Sequence, residues 1–391
     1  MTTDALSSPR VRSHNLGLIL RSVRDHGSIH RARIASDLGL TRTSVTRLVG
    51  DLVTEGILVN EAALPAPGRG RPATPLRFNG DTFALLGMDA RVDHTEVMLT
   101  NLAGEPLASE VFSFDLPVAP DDFVARVVEV GERLVDAAGR RLLAVGVALP
   151  ARFNEGFATV ARSDRFGWGE VDLIRRLRDG FAWEVPMAMR DISRAAALAN
   201  ARQPEMAEHE RILHFQLGMG LGMALTAGRE LDESLPPIWG AIEHAPLGDE
   251  TVLCQCGRHG CVDASIGFRR FEELTASLAH GTAVGPTGIA DHMQRVSAAL
   301  TAGDPEASAA VDHLTRILAH VLATVGCIVV PEAVTLGGYP LLLGAGFFEG
   351  LRLRMLEELA DPPMLLQSPL GDQASRRGTV MMALDAYIDA L

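Results

Sequence analysis

Three of the chain's four cysteines lie within the eight residues CQCGRHGC, Cys254 to Cys261, and a chain that gathers thiols so tightly must fold a loop around them. A disulfide knot, a redox centre and a metal site all place cysteines this close. The N-terminus carries no signal-peptide pattern and no apolar run approaches the ~20 residues of a membrane span. A cytoplasmic chain with reduced thiols is therefore expected. The Cys-x-x-Cys spacing of thioredoxin-like sites is absent, which leaves metal as the leading reading. Structural zinc takes four nitrogen or sulfur ligands in a tetrahedron. His244, ten residues before Cys254, can supply the fourth, so the expected ligand set is His244, Cys254, Cys256 and Cys261. Gly257 and Gly260 stand where such a loop must turn sharply, and glycine accepts positive φ without a Cβ clash. The spacing departs from that of a DNA-binding finger, so the ion serves something else. Cys327, in the apolar run ATVGCIVV, reads as a small core residue.

With 391 residues, 47% of them hydrophobic, the chain can bury large cores in two or three domains. Its net charge of −13 is unevenly spread. Residues 1–80 hold 11 arginines against 6 acidic residues, an excess of five positive charges, which leaves 18 net negative charges on the rest. A basic head on an acidic body is the pattern of a chain that meets nucleic acid at one end. The absence of lysine is compositional and supports no functional claim.

In the head, NLGLILRSV places Leu16, Ile19, Leu20 and Val23 at helical spacing, and HRARIASDL gives a second short helix that stops at Gly39. Thr41 stands as the N-cap of a third, TRTSVTRLVGDLVTEGIL, with Val45, Leu48, Val49 and Leu52 on one face. The other face opens with Arg42, Thr43, Ser44, Thr46 and Arg47. Two helices joined by a glycine turn, the second starting with small polar and basic residues, suit helix-turn-helix docking in a major groove. A plain three-helix bundle with a solvated face fits the same pattern. ILVNE and PLRF then read as paired strands flanking PAPGRGRPATP, whose Arg69 and Arg71 suit a wing tip in a minor groove, or a proline-stiffened linker.

From Phe83 onward strands and helices alternate: LLGMDARVDHTEVMLTNLAGEPLASEVF gives three strand-like runs, LLAVGVALP a buried strand, and LAHVLATVGCIVVPEAVTLGG a helix, a strand and a glycine turn. Here the chain resembles the ROK family of repressors and sugar kinases. The resemblance rests on His244 with CQCGRHGC, supported by Gly218, Gly220 and Gly222 in LGMGLG, by Asp191, and by Gly337-Gly338. It implies an α/β protein with an N-terminal winged helix-turn-helix domain (1–80) ahead of a two-lobed actin-like ATPase body. The implied small lobe covers 81–200, rejoined by a C-terminal helix at 376–391, and the large lobe with a structural zinc site covers 201–375. Trp168, in RFGWGEVDL, matches a family segment near the sugar site but reads as a core residue.

The resemblance also places the expected ligand contacts. Asp191 takes the kinase base position. The first phosphate loop of the family, Asp-x-Gly-x-Thr, reads Asp89-Ala90-Arg91-Val92-Asp93, so a side chain fills phosphate space and a carboxylate replaces a hydroxyl. Met219 replaces a threonine in the second loop. ATP use is therefore not expected. The implied effector contacts are Arg190, Asp191, Glu243, His244 and Asp263, with Ala241 in place of a glutamate. Arg190 and Ala241 make such a pocket more positive, pointing to an anionic sugar derivative; if Arg190 pairs with Asp191 or Glu243 instead, that inference falls. The reading is a cytoplasmic, non-enzymatic repressor that binds double-stranded operator DNA as a homodimer or higher homo-oligomer, takes a sugar or sugar-derivative effector, and has no membrane partner. The alternative is an active ROK sugar kinase carrying a DNA-binding domain.

Overall fold

The computed structural model describes residues 8–61, 74–234, 242–278 and 288–391. Helix α1 (Ser8–His26) starts earlier than its apolar period requires and ends at Gly27, whose φ is 69°. Helices α2 (Arg31–Asp37) and α3 (Arg42–Thr54) follow, joined through Gly39 at φ 63°. Thr41 Oγ1 accepts a hydrogen bond from the Ser44 amide at 3.2 Å, satisfying one of the free donors at the start of α3. Strands β1 (Leu58–Asn60) and β2 (Leu76–Phe78) pair antiparallel, Leu58 opposite Phe78. Three helices with this two-stranded ribbon make a winged helix. Arg69 and Arg71 of the expected wing tip lie outside the described residues.

The body is one topology used twice. In the first half, β3 (Phe83–Ala90), β4 (Thr95–Asn101) and β5 (Pro106–Phe112) form an antiparallel meander. Helix α4 (Pro120–Ala138) then returns the chain to β6 (Arg141–Ala148), parallel to β3. The short hairpin β7 (Arg152–Phe153) and β8 (Val160–Arg162), helix α5 (Leu173–Gly180) and parallel strand β9 (Met187–Arg190) complete it, in sheet order β5-β4-β3-β6-β9. Helix α6 (Ile192–Ala201) leads to the second half: β10 (Arg211–Leu217), β11 (Leu221–Ala227) and β12 (Glu230–Leu231) again run antiparallel. Helices α7 (Val262–Ile266), α8 (Phe268–Leu274), α9 (Gly288–Thr301) and α10 (Pro305–Val329) precede β13 (Ala333–Gly338), which pairs parallel with β10. Helix α11 (Ala345–Glu358) and parallel strand β14 (Met364–Gln367) follow, giving order β12-β11-β10-β13-β14. The β3–β4 and β10–β11 turns are thus equivalent positions in the two lobes. Each lobe has its own apolar core, one built around Val127, Val145 and Trp168, the other around Phe215, Leu318 and Leu336.

The last helix, α12 (Ala374–Asp389), lies on the small-lobe sheet so closely that a Cβ on Gly146 would stand 1.8 Å from the Thr379 carbonyl oxygen. Its other side meets the head. Leu16, Ile19, Leu20 and Val23 of α1 share one core with Leu85 and Met98 of the sheet and Val380, Leu384 and Ile388 of α12. The winged helix is packed onto the body through this shared core.

Two local expectations need correcting or completing. Helix α10 continues through Val329, so its 3.6-residue period turns Cys327 outward with Ile328 while Val325 and Gly326 face in; Cys327 is exposed and is no core residue. The same helix is long and apolar enough to cross a membrane, but its Leu314, Ile317, Leu318 and Val321 pack into the large-lobe core. Trp168 is buried as expected, its indole N–H donating to the Val118 carbonyl at 2.6 Å.

Candidate functional site

The thiol loop closes as its spacing requires. Gly257 and Gly260 take φ of 84° and 76°, and the ligand atoms of His244, Cys254, Cys256 and Cys261 all lie within 4.8 Å of one another. Cys254 Sγ stands 3.7 Å from His244 Nδ1, and Cys256 Sγ 3.6 Å from Cys261 Sγ. A tetrahedron with Zn–S bonds of about 2.3 Å has edges of about 3.8 Å, so the four groups fit such an ion. The Arg258 guanidinium, hydrogen-bonded to the exposed Cys256 thiol, pulls its pKa down to about 6 and favours the thiolate a metal needs. The cluster can hold a metal, and Cys261 leads directly into α7, which carries Asp263.

The first phosphate loop is filled from within. Arg91 Nε donates to Asp89 at 3.0 Å, and its two terminal nitrogens reach Asp372, in the turn before α12, and Ser375, in the first turn of that helix. Ser375 Oγ donates to the same Asp89 carboxylate at 2.7 Å. Asp93, in the expected hydroxyl position, faces His94 at 3.2 Å. Asp89 Oδ2 is therefore engaged by a guanidinium and a serine, while its Oδ1 is buried with no partner among the described residues. The second loop, between β10 and β11, is open at Gly218. Gly222 is pressed against α6, where a Cβ would come within 2.0 Å of Ser193 Oγ.

Of the expected effector residues, Glu243 lies near enough to Asp191 and Asp263, and His244 to Asp263, to feel their charge, while Arg190 meets other groups. Asp191 caps α6, accepting from the Arg194 amide at 2.9 Å, and its second oxygen pairs with the Arg194 guanidinium. Arg190 pairs with Glu233 rather than with Asp191 or Glu243, through Nε at 3.0 Å. Phe157, in a left-handed backbone conformation (φ 56°), carries both guanidiniums on its ring, Arg190 at 4.1 Å and Arg194 at 5.3 Å from the centroid. Asp263 accepts from the Leu221 amide and from Arg165, each at 3.1 Å, and Arg165 also donates to the Met219 carbonyl at 3.0 Å. Arg165 so ties the small lobe to the second phosphate loop. Burial lifts the Asp263 carboxyl above its usual range and pushes Glu243 up to about 7. The expectation that Arg190 adds an unpaired positive charge is not met. Arg152 faces Asp164 at 3.6 Å, and Arg165, Arg190 and Arg194 each meet a carboxylate. Ala241 lies outside the described residues.

On the head, Arg42, Thr43, Thr46 and Arg47 are exposed along α3. Thr46 Oγ1 donates to the Arg42 carbonyl, and Ser44 is tied to Thr41, so these two hydroxyls serve the helix first. Arg42, Thr43 and Arg47 have no side-chain partner among the described residues. Sequence reasoning missed Arg165, Arg194, Glu233, Asp372 and Ser375. Only Arg194 had a local signal, since a cationic side chain three residues after an aspartate N-cap can close on it. The others are supplied by distant segments.

Residues 85–386 match the sequence profile of the ROK family. A putative xylose repressor of Caldicellulosiruptor sp. (strain Rt8B.4) is 23% identical over 271 residues, covering 68% of this chain and 67% of that protein. The kanosamine kinase of Amycolatopsis mediterranei (strain S699) is 29% identical over 309 residues, covering 76% of this chain and 95% of the kinase. A solved ROK family transcriptional regulator, described as a homolog of the E. coli MLC protein, has a TM-score of 0.79 at 19% identity and covers 97% of each chain. At that identity the likeness shows the fold, head and body together.

Proposed function

The chain belongs to the ROK family, and from that premise we propose that it is a DNA-binding transcription regulator, a repressor of carbohydrate-related genes, rather than a sugar kinase. The observation that carries the reading is the face of α3. Arg42, Thr43 and Arg47 stand exposed at the N-terminal end of the second helix of a helix-turn-helix, without partners among the described residues, where base edges and phosphates are read. Two copies would present two such helices to half-sites about one helical turn apart.

The body is proposed to sense a sugar. Asp191, Glu243 and Asp263 offer hydroxyl acceptors, and because the surrounding arginines are paired with carboxylates, an uncharged sugar suits the cleft better than the anionic derivative suggested by Arg190 alone. Zinc on His244 and the three cysteines would act structurally: four protein ligands leave no open position, and bound there the ion pins the loop that carries His244 to the segment leading to Asp263. Arg91 argues against phosphoryl transfer, because its guanidinium is bonded to Asp89, Asp372 and Ser375 where the loop would receive a phosphate.

An ADP-release assay with MgATP and a panel of neutral sugars, run beside operator titrations with the same sugars, tests the proposal. No turnover, with one sugar shifting operator affinity at least about tenfold, is the expected result. Sugar-dependent ADP release with no effect on DNA would establish the kinase instead.

A further inference from the structure

The head is joined to the body by more than its apolar core. Arg24 of α1, with a side chain only 8% exposed, meets Asp385 of α12 at 2.5 Å, Glu230 of β12, and Asp25 at 2.8 Å. Arg202, which follows α6 as its C-cap and is 4% exposed, meets the same two bridging carboxylates, Glu230 at 2.6 Å and Asp385 at 2.7 Å. Arg202 and Arg229 exchange hydrogen bonds through their side chains and carbonyls, and Arg229 stands 3.8 Å from Asp25. Glu230 and Asp385 are therefore each shared between a head arginine and a body arginine.

Two elements run from this cluster to the ligand cleft. Helix α6 begins at Asp191, its cap in the cleft, and ends at Arg202 in the cluster. The β12 turn carries Glu230 in the cluster and, three residues on, Glu233 on Arg190. A groove of about 1270 Å³ lies along this path, lined by Arg190 and Glu233 at one end and by Arg24, Glu230 and Asp385 at the other. We infer that Arg24, Arg202, Glu230 and Asp385 form a latch through which movements of the cleft are passed to the DNA-reading head. The two guanidiniums are buried while Glu230 is half exposed and Asp385 partly so; losing either shared carboxylate leaves two buried cations under-compensated at once, which couples the four groups. A ligand that engages Asp191 or takes Arg190 from Glu233 pulls on α6 or on the β12 turn, and either lever ends on a carboxylate or guanidinium that holds Arg24.

The roles given to the two ends rest on the proposed function; the mechanical link between them is tested without DNA or sugar. Hydrogen exchange is followed on the full chain and on Glu233→Gln, Glu230→Gln, Asp385→Asn and the Glu233→Gln, Glu230→Gln double variant. In Glu233→Gln, altered only at the cleft end, amide exchange over the last turn of α1, Val23–His26, rises about tenfold, while α10 stays protected and reports an intact fold. The double variant gains less than the product of the two single effects, because both act on one network. Unchanged exchange in α1 of Glu233→Gln, with Asp385→Asn or Glu230→Gln raising it, would make the cluster a static joint and overturn the inference. Independent, multiplicative effects in the double variant overturn it as well. Absence of operator binding would defeat the regulator reading and leave the exchange result standing.

Discussion

His214 sits on β10 with both ring nitrogens engaged, Nδ1 with Thr335 Oγ1 at 2.8 Å and Nε2 with Gln216 Oε1 at 3.2 Å. Burial drives its pKa down to about 4, against the opposing pull of Gln216 and Asp191. A histidine held neutral in the fold but free to protonate near 6.5 when unfolded stabilises the protein fully above 6.5, and this contribution disappears as pH falls toward 4. The difference is worth about 3 kcal/mol. His214→Gln should flatten the fall in Tm between pH 6.5 and 4 relative to the parent; parallel Tm profiles would show that the ring does not titrate there. At the metal cluster, Cys256→Ser should lower bound zinc from about one per chain and cut Tm, and a chelator should do the same to the parent alone. A variant that keeps full zinc by elemental analysis contradicts the four-ligand site. The sequence displays these ligands because they are chemically distinctive and close together. It hides what neutralises them: nothing near Arg190 announces Glu233, and Asp263 lies 98 residues from Arg165.

Helix α6 shows what the pattern of a single element conceals. Its run of small residues, Ala195 to Ala197, is buried because the helix is packed on both sides. Gly378 of α12 approaches the Ala195 carbonyl so that a Cβ would lie 2.0 Å away, and Gly222 of β11 approaches Ser193 equally closely. Gly222→Ala should cost about 1–3 kcal/mol by overpacking, and Ser193→Gly should recover part of it. Chemical denaturation of the single and double variants measures both, and additive losses would contradict the contact. The glycines of LGMGLG are thus legible as a motif, whereas the structural duty of Gly222 appears only with α6 in place. The helices of the head were legible from period and capping because Thr41, Gly39 and the apolar face of α3 act locally. The length of α1 was not, since its extra residues are held by contacts such as Arg12 with Asp51 of α3 at 2.8 Å.

For the molecule as a whole, the surplus of arginine in the head has a double use. Arg21 and Arg24 are turned to Asp389 and Asp385 of α12, which leaves Arg42 and Arg47 as the cations offered outward by α3. Charge asymmetry along the chain therefore points to DNA with part of its weight and to the head–body joint with the rest. The α/β class could be anticipated from alternating strands and helices, and the two lobes from the family resemblance, but the shared core of α1, α12 and the small-lobe sheet joins segments from opposite ends of the chain and has no local signature. The most direct test of the central claim is fluorescence anisotropy of the purified chain on duplex DNA from upstream of its own gene and on a scrambled duplex, at several salt concentrations, with Arg42→Ala and Arg47→Ala alongside. The account predicts a preference for the upstream duplex of at least about a thousandfold, and a loss of about tenfold or more for each arginine removed. Equal affinity for both duplexes, or variants that bind as the parent does, would contradict it.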